Sequence, residues 1–334
     1  MDTATLITVI VLSAVGAFLC FTFALAFLCD KIAFGIRYDK NPLLKYLTAE
    51  DFDLAAEEVS VNQGDFSLNG YIYRNESIPV KNKTVVFVHG MGAGHLAYTT
   101  EIAYFANLGY PVLALDSKGC NLSGGKNIKG MYEGVNTAVA AVDYAKKVLP
   151  ENGIYLVGHS WGGYSVLCAS AKRKVEKVVA ISAPNSPLTT VKNAAAPVIS
   201  TVLAYFILPW LSIFNSVKFG GEGNMSAAEF VAKSDIPMLL VHGNKDNIVK
   251  NENAAFYCIN GKNIKKLLCD GKAHNPYNTV NAEKQLADIS SSLKKARKMN
   301  EAEKLDYFER FDIKSATEED EKVMEQIAEF LVSE

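Results

Sequence analysis

Apolar and polar positions along this chain fall into three regimes. The first is an unbroken apolar run: no charged residue stands between Asp2 and Asp30, only Thr, Ser and Gly among Leu, Ile, Val, Ala, Phe and Cys. A helix that crosses the hydrocarbon of a bilayer needs about 20 such residues. A secretory signal would start basic, carry an apolar core of about 7–15 residues and end at a small-residue cleavage site. This start holds Asp2 and no Lys or Arg, which predicts an uncleaved membrane anchor over residues 1–30. Lys31, Arg37, Lys40 and Lys45 follow the run, diluted by Asp30 and Asp39. The positive-inside rule then puts the rest of the chain in the cytoplasm as a single-pass protein.

From a polar juxtamembrane linker, residues 31–53, the pattern changes to short buried runs that alternate with helical stripes. Glu57–Val61 and Phe66–Tyr73 read as a hairpin with Asn62-Gln63-Gly64-Asp65 as its turn. Thr84–Val88, Pro111–Leu115, Ile154–Val157, Val175–Ile181, Met238–Val241 and Ile264–Cys269 read as further strands. Helical spacing runs through His95–Asn107, Tyr132–Val148, a stretch ending at Ala171, and Glu319–Val332, with helices also starting from Asn251 and Val280. Such alternation predicts an α/β fold with a mostly parallel sheet covered on both faces.

The third regime interrupts this alternation. From Asn193 to Val217 there is no charge. A second membrane span fits the length, but it would divide the strands of one sheet between two sides of a bilayer. Pro197 and Pro209 break any single long helix. The preferred reading is a lid of short apolar helices, broken near Pro209, that touches the membrane and lines an acyl pocket with Phe206 and Trp210.

Length and charge narrow the picture further. At 334 residues there is room for one large α/β domain with an insertion, or for two small domains. A net charge of −2 with no basic stripe gives no footing for nucleic acid. The six cysteines lack paired metal or redox spacing and read as reduced structural thiols, as in a cytosolic compartment. No cofactor or metal motif is visible.

Chemistry enters at Gly158-His159-Ser160-Trp161-Gly162, a G-x-S-x-G pentapeptide directly after the Ile154–Val157 run. On a tight strand-to-helix turn the glycines clear space and the serine Oγ is pushed out of the sheet. A nucleophilic serine needs a base, an acid that orients the base, and oxyanion donors. His159 abuts the serine and points elsewhere, His89 and His242 end strands before a glycine, and His95 opens a helix. His274 remains, on the loop after the last strand, where α/β sheets place their sites. The acid is expected between serine and histidine, and Asp246 follows a buried strand, whereas Asp235 precedes it. Turn or capping roles suffice for Asp270, and Asp116 comes before the serine as a loop anchor. Backbone donors for the oxyanion are expected from Trp161 and from Met91, in the loop His89-Gly90-Met91-Gly92-Ala93-Gly94.

His89-Gly90, the loop from Asp116 to Gly125, Gly158–Gly162, His242-Gly243-x-x-Asp246 and Ala273-His274-Asn275 together resemble the α/β-hydrolase fold superfamily, from about Glu57 to the C-terminus. Within it the chain is most similar to the branch of serine aminopeptidase-like hydrolases, monoacylglycerol lipases and related membrane-anchored bacterial hydrolases. The resemblance implies a Ser160–His274–Asp246 triad. It also implies a domain over residues 54–334 with a lid, residues 185–234, inserted between the sixth and seventh strands. Asp116-Ser117-Lys118-Gly119-Cys120-Asn121 departs from the branch's Asp-x-Arg-Gly-x-Gly, which touches loop packing and not the chemistry. The expected function is hydrolysis of a small-molecule carboxylic ester or thioester, with an acyl chain because each buried methylene is worth about 0.8 kcal/mol. One rival is a peptidase, which needs acidic groups for a substrate amino terminus and has only Glu222 near the lid. The other is a non-catalytic binding protein on the same fold.

Overall fold

The alternation of buried runs and helical stripes is realised in a computed structural model that describes residues 1–92, 94–150, 153–296 and 299–333. The strands are β1 (Ala55–Asn62), β2 (Ser67–Arg74), β3 (Lys83–Val88), β4 (Val112–Leu115), β5 (Gly153–His159), β6 (Lys177–Ile181), β7 (Met238–Gly243) and β8 (Ile264–Cys269). They form one eight-stranded sheet in the order β1-β2-β4-β3-β5-β6-β7-β8. β1 and β2 enter antiparallel, and every pair from β4 to β8 is parallel. All eight were legible as apolar runs, with ends displaced by no more than about two residues.

Helices pack on both faces, after a first helix α1 (Thr3–Phe34) that precedes the sheet: α2 (Thr99–Asn107), α3 (Tyr132–Val148) and α4 (Trp161–Ser170). Between β6 and β7 come α5 (Pro187–Ile199), α6 (Thr201–Phe206), α7 (Leu208–Phe219) and α8 (Ala227–Val231). The C-terminal part adds α9 (Ala255–Cys258), α10 (Val280–Ala296), α11 (Glu301–Glu309), α12 (Ile313–Ala316) and α13 (Glu321–Val332). Because strand side chains alternate faces, Val86, Leu113, Leu156, Val178 and Leu240 join α3 and α4 in one core. Val85, Val112, Tyr155, Val179 and Leu239 join α2 and α13 in the other.

The insertion breaks at Ser200 and at Ile207, while Pro197, expected to break a long helix, lies inside α5. α5 ends at Ser200, whose φ is +82°, and α6 ends at Ile207 with Pro209 in the first turn of α7. Thr201–Phe219 is apolar and, at 19 residues, long enough for a span. However, β7 and β8 after it pair in the same sheet as β6 before it, so it does not carry the chain across a bilayer.

The partner of α6 and α7 is α1. Phe18 meets Phe206, Phe23 meets both Trp210 and Phe214, and Phe27 meets Phe214, all edge to face at centroid separations of 5.0–6.4 Å. Such pairs contribute about 0.5–1.5 kcal/mol each beyond their buried area. The Trp210 indole N–H donates to Thr22 Oγ1 at 3.1 Å, and Lys218 Nζ pairs with Asp30 at 2.5 Å. The contacts advance along both elements together, so α1 and α6–α7 run side by side in the same direction. α1 is long and apolar enough to cross a membrane, and it continues past Asp30 to Phe34. The segment after it also lies on the sheet domain. Tyr38 N–H donates to Gly119 O at 2.9 Å, and Arg37 donates to the carbonyls of Gly125 and Asn121.

Candidate active site

Ser160 sits between β5 and α4 with φ 54° and ψ −119°, a conformation that costs a non-glycine residue about 1–3 kcal/mol and clusters at functional sites. The strain is held from several sides. Ser160 N–H donates to Ile181 O at 2.8 Å, and Ser160 O accepts from Tyr164 N–H at 3.1 Å. Gly162 must be glycine, since a Cβ there would lie 1.9 Å from Val88 O.

The structure brings the three expected side chains together. His274 Nε2 is 3.0 Å from Ser160 Oγ, and His274 Nδ1 is 2.8 Å from Asp246 Oδ2. Asp246 Oδ1 accepts from the backbone N–H groups of Ile248 and Val249 at 2.8 and 2.9 Å. Burial opposes the charge on Asp246, but the His274 ring and these N–H groups outweigh it and hold the carboxyl below its ordinary range. Asp246 therefore stays ionised and fixes the His274 proton on Nδ1, which leaves Nε2 free to accept the serine proton. Asp270 is engaged elsewhere, bonded to the Asn244 side chain at 2.5 Å. Asp116 anchors its loop, accepting from His95 N–H and Nδ1 and from Leu122 N–H at 2.7–2.9 Å.

Met91 and Trp161 both border a cavity of about 340 Å³ in front of Ser160. Trp161 is the first residue of α4, so its N–H has no acceptor within the helix. Of the glycine-rich loop expected to supply the other donor, Ala93 lies outside the described residues. Gly90, Tyr98, His159 and His274 also border it, and the wall includes Met131, Pro184, Ile248 and Val249, with Thr190, Asn193, Asn253 and Asn275 as polar members. Thr190 and Asn193 come from α5, so the insertion reaches the cavity through that helix. Phe206 and Trp210, expected on this wall, are not among its lining residues. They pack against α1 because the ring pairs with Phe18 and Phe23 take up that face.

Two supporting features had no signal in the sequence. The Glu283 carboxylate, on α10, accepts from the backbone N–H groups of Ala273 and Asn275 at 3.0–3.1 Å and so pins the His274 loop on both sides. Asn253 ties the cavity edge to α5, accepting from Ser186 N–H at 2.9 Å and donating to Thr190 Oγ1 at 2.8 Å.

Behind the His274 loop, Tyr277 stands beside two carboxyls, Glu101 and Glu319. Burial pushes both carboxyls up, and Glu319 is raised further by Glu101. Glu101 Oε2 and Glu319 Oε1 have no hydrogen-bond partner among the described residues. In the unfolded chain both groups ionise in the ordinary carboxyl range. The fold therefore loses stability as pH rises from that range to the raised range of the folded pair, and the loss levels off once the pair ionises in place. Glu101→Gln, neutral at every pH and close in shape, is expected to raise Tm at about pH 9 and change it little at about pH 5. Thermal unfolding at the two pH values measures this, and an equal shift at both would refute it.

Residues 83–209 match the family described as alpha/beta hydrolase fold. An esterase of Pyrococcus furiosus superposes with a TM-score of 0.57 at 21% identity, covering 78% of this chain and 98% of its own. Est1E of Butyrivibrio proteoclasticus, solved with ferulic acid bound, gives 0.50 at 20% identity over 71% of this chain and 96% of its own. No curated protein sequence matches the chain. The fold is the α/β-hydrolase fold, with a mostly parallel sheet flanked by helices.

Proposed function

We propose that this chain is a membrane-anchored serine hydrolase that cleaves a carboxylic ester or thioester through an acyl-enzyme on Ser160. The observation that carries the reading is the continuous Ser160–His274–Asp246 hydrogen-bonded array on a strained turn, opening on a cavity. In the proposed reaction His274 Nε2 takes the Ser160 proton as Oγ attacks the acyl carbon. The backbone N–H groups of Met91 and Trp161 receive the oxyanion. The C–O or C–S bond then breaks as His274 returns the proton to the departing alkoxide or thiolate. Water, deprotonated by His274, attacks the acyl-enzyme and releases the carboxylic acid, restoring Ser160. Asp246 keeps the imidazole oriented and stabilises its cationic form throughout.

Several features support an uncharged acyl substrate drawn from a membrane. Among the described residues that line the cavity none is a carboxylate, and its apolar wall includes Met91, Met131, Ile248 and Val249. Beside the insertion, α1 exposes a lipid-compatible surface, and α6 continues it with Val202, Tyr205 and Phe206. The packing of Phe18–Asp30 on α6–α7 favours a retained anchor over a cleaved signal, since cleavage would strip a packing partner. Lys31, Arg37, Lys40 and Lys45 favour a cytoplasmic catalytic domain. The similarly folded Pyrococcus furiosus protein is an esterase by name. A peptidase is disfavoured because Glu222 is already committed to Lys172 at 2.8 Å and to the Tyr132 hydroxyl at 2.5 Å.

Initial rates of the purified full chain on matched acyl esters, acyl thioesters and amino-acid amides test this reading. Hydrolysis of esters or thioesters with little turnover of amides is expected. Equal rates on amides would favour the peptidase, and no turnover of any would favour a binding protein.

A further inference from the structure

The residue between Gly158 and Ser160 is a histidine whose ring is buried, 3% exposed. Its Nε2 lies 2.9 Å from the backbone carbonyl of His274, and its Nδ1 lies 2.9 Å from the hydroxyl of Tyr98. That hydroxyl in turn accepts from Gly90 N–H at 3.1 Å. Only one placement of protons satisfies all three contacts. A carbonyl only accepts, so His159 Nε2 carries the hydrogen. Burial, then the neighbouring His274, push the His159 ring down to about 3, so it is neutral and Nδ1 is bare. Tyr98 must therefore donate its single hydrogen to Nδ1, and its lone pairs are left for Gly90. The path runs in one direction, from Gly90 N–H through Tyr98 and His159 to the His274 carbonyl. Gly90 fits closely beneath it, since a Cβ there would lie 2.6 Å from the Tyr98 oxygen and 3.3 Å from Ser160 Cβ.

We propose that Tyr98 and His159 are positioning residues for the Ser160 reaction, a role that rests on the reading above. They tie the backbone of His274 to the loop that would supply the Met91 oxyanion donor, and so fix base, nucleophile and donor in one frame. Neither side chain exchanges a proton with substrate. Without the tie His274 keeps its Asp246 and Glu283 supports, so the loss is partial. A displacement of order 1 Å at reacting groups costs up to about 100-fold in rate.

The alternative role for a buried ring is to fill space, and substitution separates the two. His159→Gln retains an amide N–H for the His274 carbonyl, whereas His159→Leu fills the site with apolar bulk and cannot bond. Tyr98→Phe removes a single oxygen. The full chain and these variants are compared for kcat and KM on an ester, for the rate of fluorophosphonate reaction at Ser160, and for Tm. Tyr98→Phe is expected to lower kcat and the labelling rate by about 10- to 100-fold with KM nearly unchanged. His159→Gln is expected to retain more activity than His159→Leu. Wild-type rates in Tyr98→Phe, or His159→Leu equal to or better than His159→Gln, would overturn the tie. Should both His159 variants fail to fold, Tyr98→Phe decides alone. A wild-type chain that hydrolyses esters without labelling at Ser160 overturns the nucleophile reading and the tie with it. A labelled wild type beside an unaffected Tyr98→Phe overturns the tie only.

Discussion

Ser160→Ala is expected to lower kcat for an ester by about a million-fold, His274→Ala by nearly as much, and the double variant by no more than either. The losses do not add because Ser160 Oγ, His274 and Asp246 form one array with single 3.0 and 2.8 Å links. Asp246→Asn is expected to cost about 10,000-fold, because an amide in place of the carboxylate no longer holds the His274 proton on Nδ1. Asp270→Asn should stay near wild type, since that carboxylate serves Asn244 and not His274. Ester kinetics on the five variants, with circular dichroism as a fold control, check this. A larger loss in Asp270→Asn than in Asp246→Asn would reassign the acid.

Deletion of residues 1–38 is expected to leave a chain that aggregates or binds membranes peripherally unless detergent is present. The deletion removes Phe18, Thr22, Phe23, Phe27 and Asp30, and so uncovers Phe206, Trp210, Phe214 and Lys218 on the insertion. An apolar face of this kind does not stay free in water. The full chain should resist alkaline extraction from membranes and keep its first residues. Fractionation, N-terminal mass determination and size-exclusion chromatography read these outcomes. A monodisperse truncated chain without detergent would make α1 a separable tether, and a chain shortened near Asp30 would make it a signal.

From sequence alone, α1 reads as such a tether, with a linker that ends near Asp53. Its apolar run says that the helix has partners of low polarity, but not that one of them is α7. The same limit explains Phe206 and Trp210: helical spacing identifies an apolar face, and only the tertiary arrangement shows that it turns toward α1 and not toward Ser160. The sheet was legible because buried parallel strands are short, β-branched and bounded by turns. The serine turn was legible because its glycines are demanded by local backbone geometry. Asp246 and His274 were reachable through their places after strands β7 and β8. Glu283 and Tyr98 bond backbone N–H groups 8–10 residues away, Tyr98 also meets His159 and Asn253 meets Ser186 and Thr190 more than 60 residues away, and no local pattern marks such roles. α11 and α12 escaped because both are short and Glu301–Glu309 carries few apolar positions to set a period.

Reaction of the full chain with a fluorophosphonate, followed by digestion and mass mapping of the adduct, tests the Ser160 acyl-enzyme most directly. A single stoichiometric adduct on the peptide carrying Gly158–Gly162 is expected, absent in Ser160→Ala and strongly slowed in His274→Ala. An adduct on a different residue, or ester hydrolysis that survives with Ser160 unlabelled, would contradict it.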